Sequence, residues 1–210
     1  MTVETVEGEL ATIRFDSSRC IHSRHCVMSQ PGVFRANVAG EWINPDAADP
    51  EAVAAVAVNC PSGAIQVMRK DGKAETAPNA NRITIRENGP LAVHADLVIK
   101  GQHAEFRATL CRCGLSKNKP YCDNSHVGAF VASGEPPAQP NTLAIVELIG
   151  PVEITPFPNG PLGVKGAIEI SSGTGRAVNR VTQTTLCRCG HSANKPYCDS
   201  THRKIGFQAP

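Results

Sequence analysis

The 210-residue chain has a formal net charge of +2, with 19% charged and 4% aromatic residues. With so small a net charge and no basic run, a nucleic-acid partner is not expected. No stretch approaches the roughly 20 apolar residues that span a bilayer, and the first ten residues hold three glutamates and no basic residue, unlike a signal peptide. The sequence therefore predicts a cytoplasmic protein without a membrane segment.

The nine cysteines fall into three groups of three, and none is left over. In a reducing compartment cysteines are more often metal ligands than disulfide partners, and an odd number suits a disulfide framework poorly. The low aromatic content, with 18 glycines and 16 prolines, indicates small modules that depend on bound metal for stability. The groups are Cys20, Cys26 and Cys60; Cys111, Cys113 and Cys122; and Cys187, Cys189 and Cys198.

The first module, residues 1–73, has the pattern of a compact α+β unit. Residues 11–15 are predicted to form a strand before the first cysteines, and residues 63–68 a returning strand. Between them we predict a helix with Asp49 as N-cap and Pro50 at the first helical position. Both cysteine-bearing segments are expected at one end of this unit.

Cys20, Cys26 and the Cys60-Pro61 pair form the outline of a single-cluster bacterial ferredoxin. The middle cysteine of such a run would fall at position 23, which is Ser23. Three cysteines suffice for a 3Fe–4S cluster, whereas a 4Fe–4S cluster needs a fourth ligand; a site that holds no metal is the alternative. The candidates for a fourth ligand are His22, Ser23 and His25. Residues 9–69 resemble a divergent mono-cluster ferredoxin domain, which implies a ferredoxin-like fold.

An internal repeat occupies the second two-thirds of the chain. Asn88-Gly-Pro-Leu recurs from Asn159, and Thr109-Leu-Cys-Arg-Cys-Gly recurs from Thr185. The offset grows from 71 residues at the first block to 76 at the second, so five residues are inserted in the second copy, in a turn around 171–176. The copies are assigned to residues 82–134 and 140–210, separated by a proline-rich connector.

Each copy has alternating apolar and polar residues that predict strands with one buried face. The predicted strand regions are residues 91–99, 142–149 and 166–170. A cysteine-rich loop follows each set of strands. Each copy is therefore predicted to be a small β-rich module.

Each copy also contains the pattern Cys-x-Cys-x8-Cys-x3-His. Three thiolates and one imidazole suit zinc or iron–sulfur and do not suit calcium or magnesium. The last cysteine and the histidine are four residues apart and share one face of a helical turn, so the donors divide into a Cys–Cys and a Cys–His pair. A two-iron cluster requires such a division, and a structural zinc is the alternative. The two sets are Cys111, Cys113, Cys122 and His126, and Cys187, Cys189, Cys198 and His202.

The stretches 111–126 and 187–202 resemble the CDGSH motif of the mitoNEET-like iron–sulfur family. The resemblance implies a 2Fe–2S cluster in each copy, with the histidine on the more exposed iron. Where the motif has glycine, this chain has Asn124 and Ser200; because serine tolerates a left-handed backbone less well than asparagine, the second loop should be slightly strained. The resemblance further implies that the two copies form an intramolecular pseudo-dimer with exchanged strands, and that the N-terminal module is the ferredoxin domain found beside CDGSH motifs.

Imidazole in place of thiolate should raise the reduction potential, as in Rieske centres, and protonation of the metal-binding nitrogen should make the cluster labile as pH falls. Ser116 and Ser192 can donate hydrogen bonds to cluster sulfur, and Asp123 and Asp199 can anchor backbone amides of the histidine-bearing turn. Ordinary capping and turn hydrogen bonds are the alternative for all four.

Together these patterns predict a monomeric electron carrier with two 2Fe–2S clusters and one 3Fe–4S or 4Fe–4S cluster. Its partner would be a redox protein or an apo-acceptor. The alternative is a protein that transfers clusters or senses redox state or pH. No nucleophile–base pair or nucleotide-binding loop is visible, so no catalytic residue and no enzyme activity of its own are predicted.

Overall fold

The computed structural model describes residues 3–100, 106–138 and 147–210, together with the backbone of 102–103. The chain divides into two compact units, with the boundary between Thr76 and Ala77. Both units are rich in strands and hold short helices, so the predicted mixed α+β class is confirmed. No helix in the described part of the chain is long and apolar enough to cross a membrane.

The first unit is a three-stranded antiparallel sheet with two helices. The strand order in the sheet follows the chain, and a short 3-10 helix, Pro45–Ala47, precedes the longer α-helix. The predicted strands at 11–15 and 63–68 are confirmed with small shifts of their ends. The elements are β1 (Val3–Glu7), β2 (Ala11–Asp16), α1 (His25–Ser29), α2 (Pro50–Val58) and β3 (Ile65–Arg69).

Helix α2 begins where the sequence predicts. The Asp49 carboxylate accepts hydrogen bonds from the amides of Glu51 and Ala52, each at 3.0 Å, and Pro50 occupies the first helical position. Such an N-cap contributes about 1 kcal/mol because it satisfies amides that have no partner within the helix. The helix buries Val53 and its apolar neighbours against the sheet, which fixes the chain just before Cys60.

The second unit contains both copies of the repeat in one sheet. The first copy supplies β4 (Arg82–Ile85), β5 (Leu91–His94), β6 (Asp96–Ile99), β7 (Gln102–His103) and β8 (Arg107–Leu110). The second copy supplies β9 (Pro151–Pro156), β10 (Leu162–Ser171), β11 (Ala177–Leu186) and the short helix α3 (Thr201–Lys204). These eight strands of the described residues are arranged in the order β7-β6-β9-β10-β4-β5-β8, with β11 paired to β10.

Two predicted features of this unit have different outcomes. The inserted turn is confirmed, because the Ser172 amide donates to the Arg176 carbonyl between β10 and β11. Of the strand predicted at 142–149, residues 142–146 lie outside the described residues. Residues 147–149 are not in a strand, and β9 starts at Pro151.

The two copies pair their strands reciprocally. Strand β6 of the first copy runs parallel to β9 of the second, with Ile99 opposite Ile154. The second half of β10 runs parallel to β4, with Ile170 opposite Ile83. The 71-residue offset of the repeat takes Ile99 to Ile170 and Ile83 to Ile154, so the two pairings are equivalent. Each copy therefore completes the sheet of the other, and their apolar residues form one core cluster.

The second half of β10 departs from the prediction of one buried face. Residues 168–171 are all buried, although their side chains alternate between the two faces, and the segment pairs with β11 on one edge and with β4 on the other. The Glu169 carboxylate, 4% exposed, is paired with Arg82 at 3.2 Å and with Arg180 at 3.0 Å. A carboxylate at a position this buried requires such partners.

Candidate metal centres

The three cysteines of the first unit line one cavity of about 310 Å³. Cys60 is buried, whereas Cys20 and Cys26 are partly exposed. Burial raises the pKa of Cys20 and of Cys26, so a metal must displace their protons. The Cys20 Sγ accepts a hydrogen bond from the His22 amide at 3.4 Å, a contact that stabilises a thiolate.

The loop between Cys20 and Cys26 is tightly bent. His22 and Arg24 adopt left-handed backbone angles, with φ of 53° and 61°. The three predicted candidates for a fourth ligand all line the same cavity as the cysteines. These candidates are His22, Ser23 and His25.

The first Cys3His set forms two close pairs. Cys111 Sγ lies 3.7 Å from Cys113 Sγ, and Cys122 Sγ lies 3.4 Å from His126 Nδ1. Two thiolates bound to one tetrahedral metal at about 2.3 Å lie about 3.8 Å apart, and a thiolate and an imidazole nitrogen lie about 3.5 Å apart. Each pair therefore has the spacing of two donors on one metal.

The second set repeats this geometry. Cys187 Sγ lies 3.8 Å from Cys189 Sγ, and Cys198 Sγ lies 3.4 Å from His202 Nδ1. Among the described residues, no three Cys, His, Asp or Glu side chains converge as ligands of a single metal ion. The donors are thus arranged as two pairs rather than four groups around one point. Such an arrangement fits two metals, each held by one pair.

Backbone amides point at the ligand sulfurs in both copies. In the first copy the Leu115 amide donates to Cys113 Sγ and the Asn124 amide to Cys122 Sγ, each at 3.4 Å. In the second copy the Ser200 amide donates to Cys198 Sγ at 3.4 Å. Asn124 and Ser200 both have φ of 67°, so the predicted left-handed conformation at the position of the motif glycine is confirmed.

The predicted hydrogen bonds from the two serines to sulfur are wrong, and the alternative of turn chemistry is confirmed. The Ser116 hydroxyl donates to the Tyr121 carbonyl at 2.7 Å, and the Ser192 hydroxyl donates to the Tyr197 carbonyl at 2.6 Å. A hydroxyl has one hydrogen to donate, so none remains for a sulfur atom. These serines brace the turn before the third cysteine instead.

The predicted role of the two aspartates is confirmed. Asp123 accepts hydrogen bonds from the amides of Lys117 at 2.8 Å and Ser125 at 3.1 Å. Burial opposes ionisation of Asp123, but these amides outweigh it and lower its pKa. Asp199 accepts equivalent bonds from Thr201 and Ala193, which likewise lower its pKa. Each carboxylate therefore ties the loop between the second and third cysteines to the histidine-bearing turn.

The ligands of the first copy differ in how readily they lose a proton. The hydrogen bond from the Cys113 thiol lowers the pKa of Cys111 to about 6 and strongly raises that of Cys113. Burial raises the pKa of Cys122 to about 11. Burial lowers the pKa of His126, which keeps its imidazole neutral and able to bind a metal at neutral pH.

Two arginines that the sequence interpretation missed lie between the first two cysteines of each set. Arg112 and Arg188 are each 1% exposed. The Arg112 guanidinium donates to the carbonyls of Gly89 and Arg86, at 2.9 and 2.7 Å, and to two carbonyls after the histidine. Arg188 makes the equivalent contacts in the second copy. The sequence carries a signal for them, because an arginine stands between the first two cysteine ligands in both copies.

Both copies match one family model, described as iron-binding zinc finger CDGSH type, over residues 88–127 and 159–203. Each matched segment begins at the asparagine of the repeated Asn-Gly-Pro turn and ends one residue after the ligand histidine. Residues 6–70 match a second model, described as divergent 4Fe-4S mono-cluster, and include all three cysteines of the first unit. No curated protein matches the chain.

Proposed function

Since this chain belongs to the CDGSH-type iron-binding family and contains a divergent 4Fe-4S mono-cluster domain, we propose that it is a multi-cluster iron–sulfur protein that carries electrons. The two Cys3His sets would each hold a 2Fe–2S cluster. The cysteines of the first unit would hold a 3Fe–4S or 4Fe–4S cluster. When bound, these groups supply one-electron redox chemistry, and the protein supplies their ligands, their hydrogen bonds and their shielding from water.

The observation that supports 2Fe–2S most strongly is the division of each donor set into two pairs. A single zinc would draw all four donors to one point, with every donor–donor distance near 3.5–3.8 Å. Here the short distances of 3.7 and 3.4 Å lie within the Cys111–Cys113 and Cys122–His126 pairs. The amides directed at Cys113 and Cys122 further suit thiolates that share a cluster charge.

The reciprocal strand pairing supports an internal pseudo-dimer. In this proposal the parallel pairs β6–β9 and β4–β10 correspond to strands that two separate chains would exchange. Because both copies share one core, a single chain would hold two clusters without a second subunit. A monomer is therefore the expected oligomeric state.

The partner is proposed to be a redox protein that docks over the first Cys3His set. Leu115, Val127 and Val131 are 46%, 73% and 89% exposed, and the first two flank the ligands Cys113 and His126. The exposed Lys117 lies in the same loop and favours a partner with an acidic face. The positions equivalent to Leu115 and Val127 in the second copy hold His191 and Arg203. Electron-transfer encounters use small interfaces of this kind.

Anaerobic purification followed by iron, sulfide and zinc analysis tests the proposal. The ligand sets predict about seven or eight irons and about eight sulfides per chain. Reductive titration followed by EPR should show reversible reduction with the iron retained after reoxidation. Zinc without sulfide would overturn the proposed cofactors.

The same sample separates electron transfer from cluster transfer. The least buried ligand is His126 in the first set and Cys198 in the second, so cluster donation would start at the Cys–His pair. Incubation with an apo-ferredoxin should leave the cluster absorbance with this chain. Rapid movement of iron and sulfide to the acceptor would instead favour a cluster-transfer function.

A further inference from the structure

The two metal loops of the second unit touch each other through their backbones. A Cβ atom added at Gly114 would lie 2.6 Å from the carbonyl oxygen of Cys189 in the other copy. A Cβ added at Gly190 would collide in the same way with the carbonyl of Cys113. Both glycines have φ of +83°, so the contact uses a conformation and a space that only glycine provides. The first cysteine pair of one copy therefore lies against that of the other.

Buried arginines lie between the first two ligands of each loop, beside this junction. Burial lowers the pKa of Arg112, and Cys187 of the second copy, a neighbouring carboxylate and Cys113 counteract this shift. Burial likewise lowers the pKa of Arg188, and Cys111 of the first copy counteracts it. Each cation is therefore close to a ligand cysteine of the opposite copy as well as to those of its own loop.

The arginines cannot turn away from these positions. Each guanidinium is held by hydrogen bonds to carbonyls of its own copy, and an aromatic ring covers it. The Arg112 guanidinium lies 5.3 Å from the Phe130 ring centroid, and the Arg188 guanidinium lies 5.7 Å from that of Phe207. Lys119 of the first copy also lies 5.9 Å from the Phe207 ring, which adds a second contact between the copies. Little water reaches the cations, so their fields are weakly screened.

We propose that Arg112 and Arg188 raise the reduction potentials of both Cys3His sites, each acting on the site of the opposite copy as well as on its own. This inference rests on the proposed function, because it requires a reducible cluster at each site. One electron from a one-electron donor protein, or from dithionite in a titration, adds one negative charge to a site. The arginine keeps its proton and forms no new bond. A fixed cation stabilises the added charge and so raises the potential.

The test separates the two sites with a histidine substitution. His126→Cys replaces an imidazole with a thiolate and should lower the potential of the first site, which leaves the second site resolved in an EPR-monitored titration. In this background we compare Arg112→Gln, Arg112→Lys and Lys117→Gln. The last removes one exposed cation from the same loop and serves as the control for charge loss alone.

Arg112→Gln should lower the potential of the second site as well as that of the first. Arg112→Lys should restore most of this shift, and Lys117→Gln should leave the second site nearly unchanged. A shift confined to the first site, or an equal effect of Lys117→Gln on the second site, would overturn the inference.

The reciprocal variant keeps the inference testable if Arg112→Gln fails to fold. Arg188 donates to three carbonyls whereas Arg112 donates to four, so its replacement removes fewer contacts. Arg188→Gln in a His202→Cys background should lower the potential of the first site as well as that of the second. An unchanged first site would overturn the inference, while a wild-type protein without iron and sulfide would overturn the proposed function itself.

Discussion

Asn88 and Ala132 form a closed pair of hydrogen bonds. The Ala132 amide donates to the Asn88 side-chain oxygen at 2.9 Å, and the Asn88 amide donates to the Ala132 carbonyl at 3.0 Å. Asn159 and Ala209 repeat both bonds at 2.8 Å in the second copy. The repeated Asn-Gly-Pro turn therefore holds the segment that follows the ligand histidine in each copy.

Asn88→Ala should destabilise the second unit by about 1–3 kcal/mol, because the Ala132 amide loses its acceptor and alanine is strained at the φ of 47° found here. Urea unfolding monitored by circular dichroism measures the change. Glycine adopts the same φ without strain, so Asn88→Gly removes only the hydrogen bond and should lower the free energy of unfolding less than Asn88→Ala does. A wild-type midpoint in both variants would show that this pair does not hold the loop.

Gly114→Ala should disrupt the junction between the copies. Its methyl group would meet the Cys189 carbonyl at 2.6 Å, and backbone against backbone leaves no flexible atom to move aside. The matched control is Gly128→Ala, since Gly128 has φ of +72° but no atom within 4 Å of an added Cβ. The control should cost only the left-handed strain of about 1–2 kcal/mol. Gly114→Ala should lower the free energy of unfolding in urea clearly more than Gly128→Ala does, and it should lose metal from both sites. Equal losses of stability in the two variants would contradict the contact.

Ser200→Gly should stabilise the second metal loop. Ser200 has φ of 67°, and its side chain makes no capping hydrogen bond to helix α3. Relief of about 1–2 kcal/mol of left-handed strain outweighs the entropy of about 0.4–1 kcal/mol that glycine adds to the unfolded chain, which leaves a net gain on the order of 0.5–1 kcal/mol. Ser200→Ala keeps the Cβ and should give no gain. The thermal unfolding midpoint distinguishes the two variants.

Cluster retention should depend on pH in a direction set by the ligand protons. The pKa values of Cys113 and Cys122 are raised, so protons compete for these thiols, and burial lowers the pKa of His126, which protects its nitrogen to lower pH. Each proton that must leave on binding costs about 1.36 kcal/mol more per unit that the pH falls below the ligand's pKa. Loss of visible absorbance should therefore accelerate as pH falls. His126→Cys replaces a neutral donor with a thiolate that binds iron more strongly, so this variant should lose its cluster at lower pH than the wild type despite the additional proton released on binding. An unchanged pH profile would exclude the histidine as the labile ligand.

The sequence predicted what depends on local spacing. The N-cap at Asp49 and the left-handed backbone at Ser200 each follow from a few adjacent residues. The reciprocal pairing of Ile99 with Ile154 was implied only by family resemblance, because strand partners are chosen by non-local packing. The contacts of Arg112 and of the Ser116 hydroxyl were likewise out of reach, since a buried cation and a hydroxyl take whichever acceptor the folded loops bring near.

Ser23→Cys should complete the cluster site of the first unit. Ser23 lines the same cavity of about 310 Å³ as the three cysteines and occupies the position of the ferredoxin ligand that the chain lacks. If the native site holds three irons, the variant should gain one iron per chain and lose the paramagnetism of the oxidised three-iron form. Ser29→Cys, which adds an exposed thiol in helix α1 away from the cavity wall, is the matched control and should leave the iron count unchanged. An unchanged iron count and EPR spectrum in Ser23→Cys would mean that the native site already holds four irons through a non-cysteine ligand, for which His22 and His25 would then be replaced in turn.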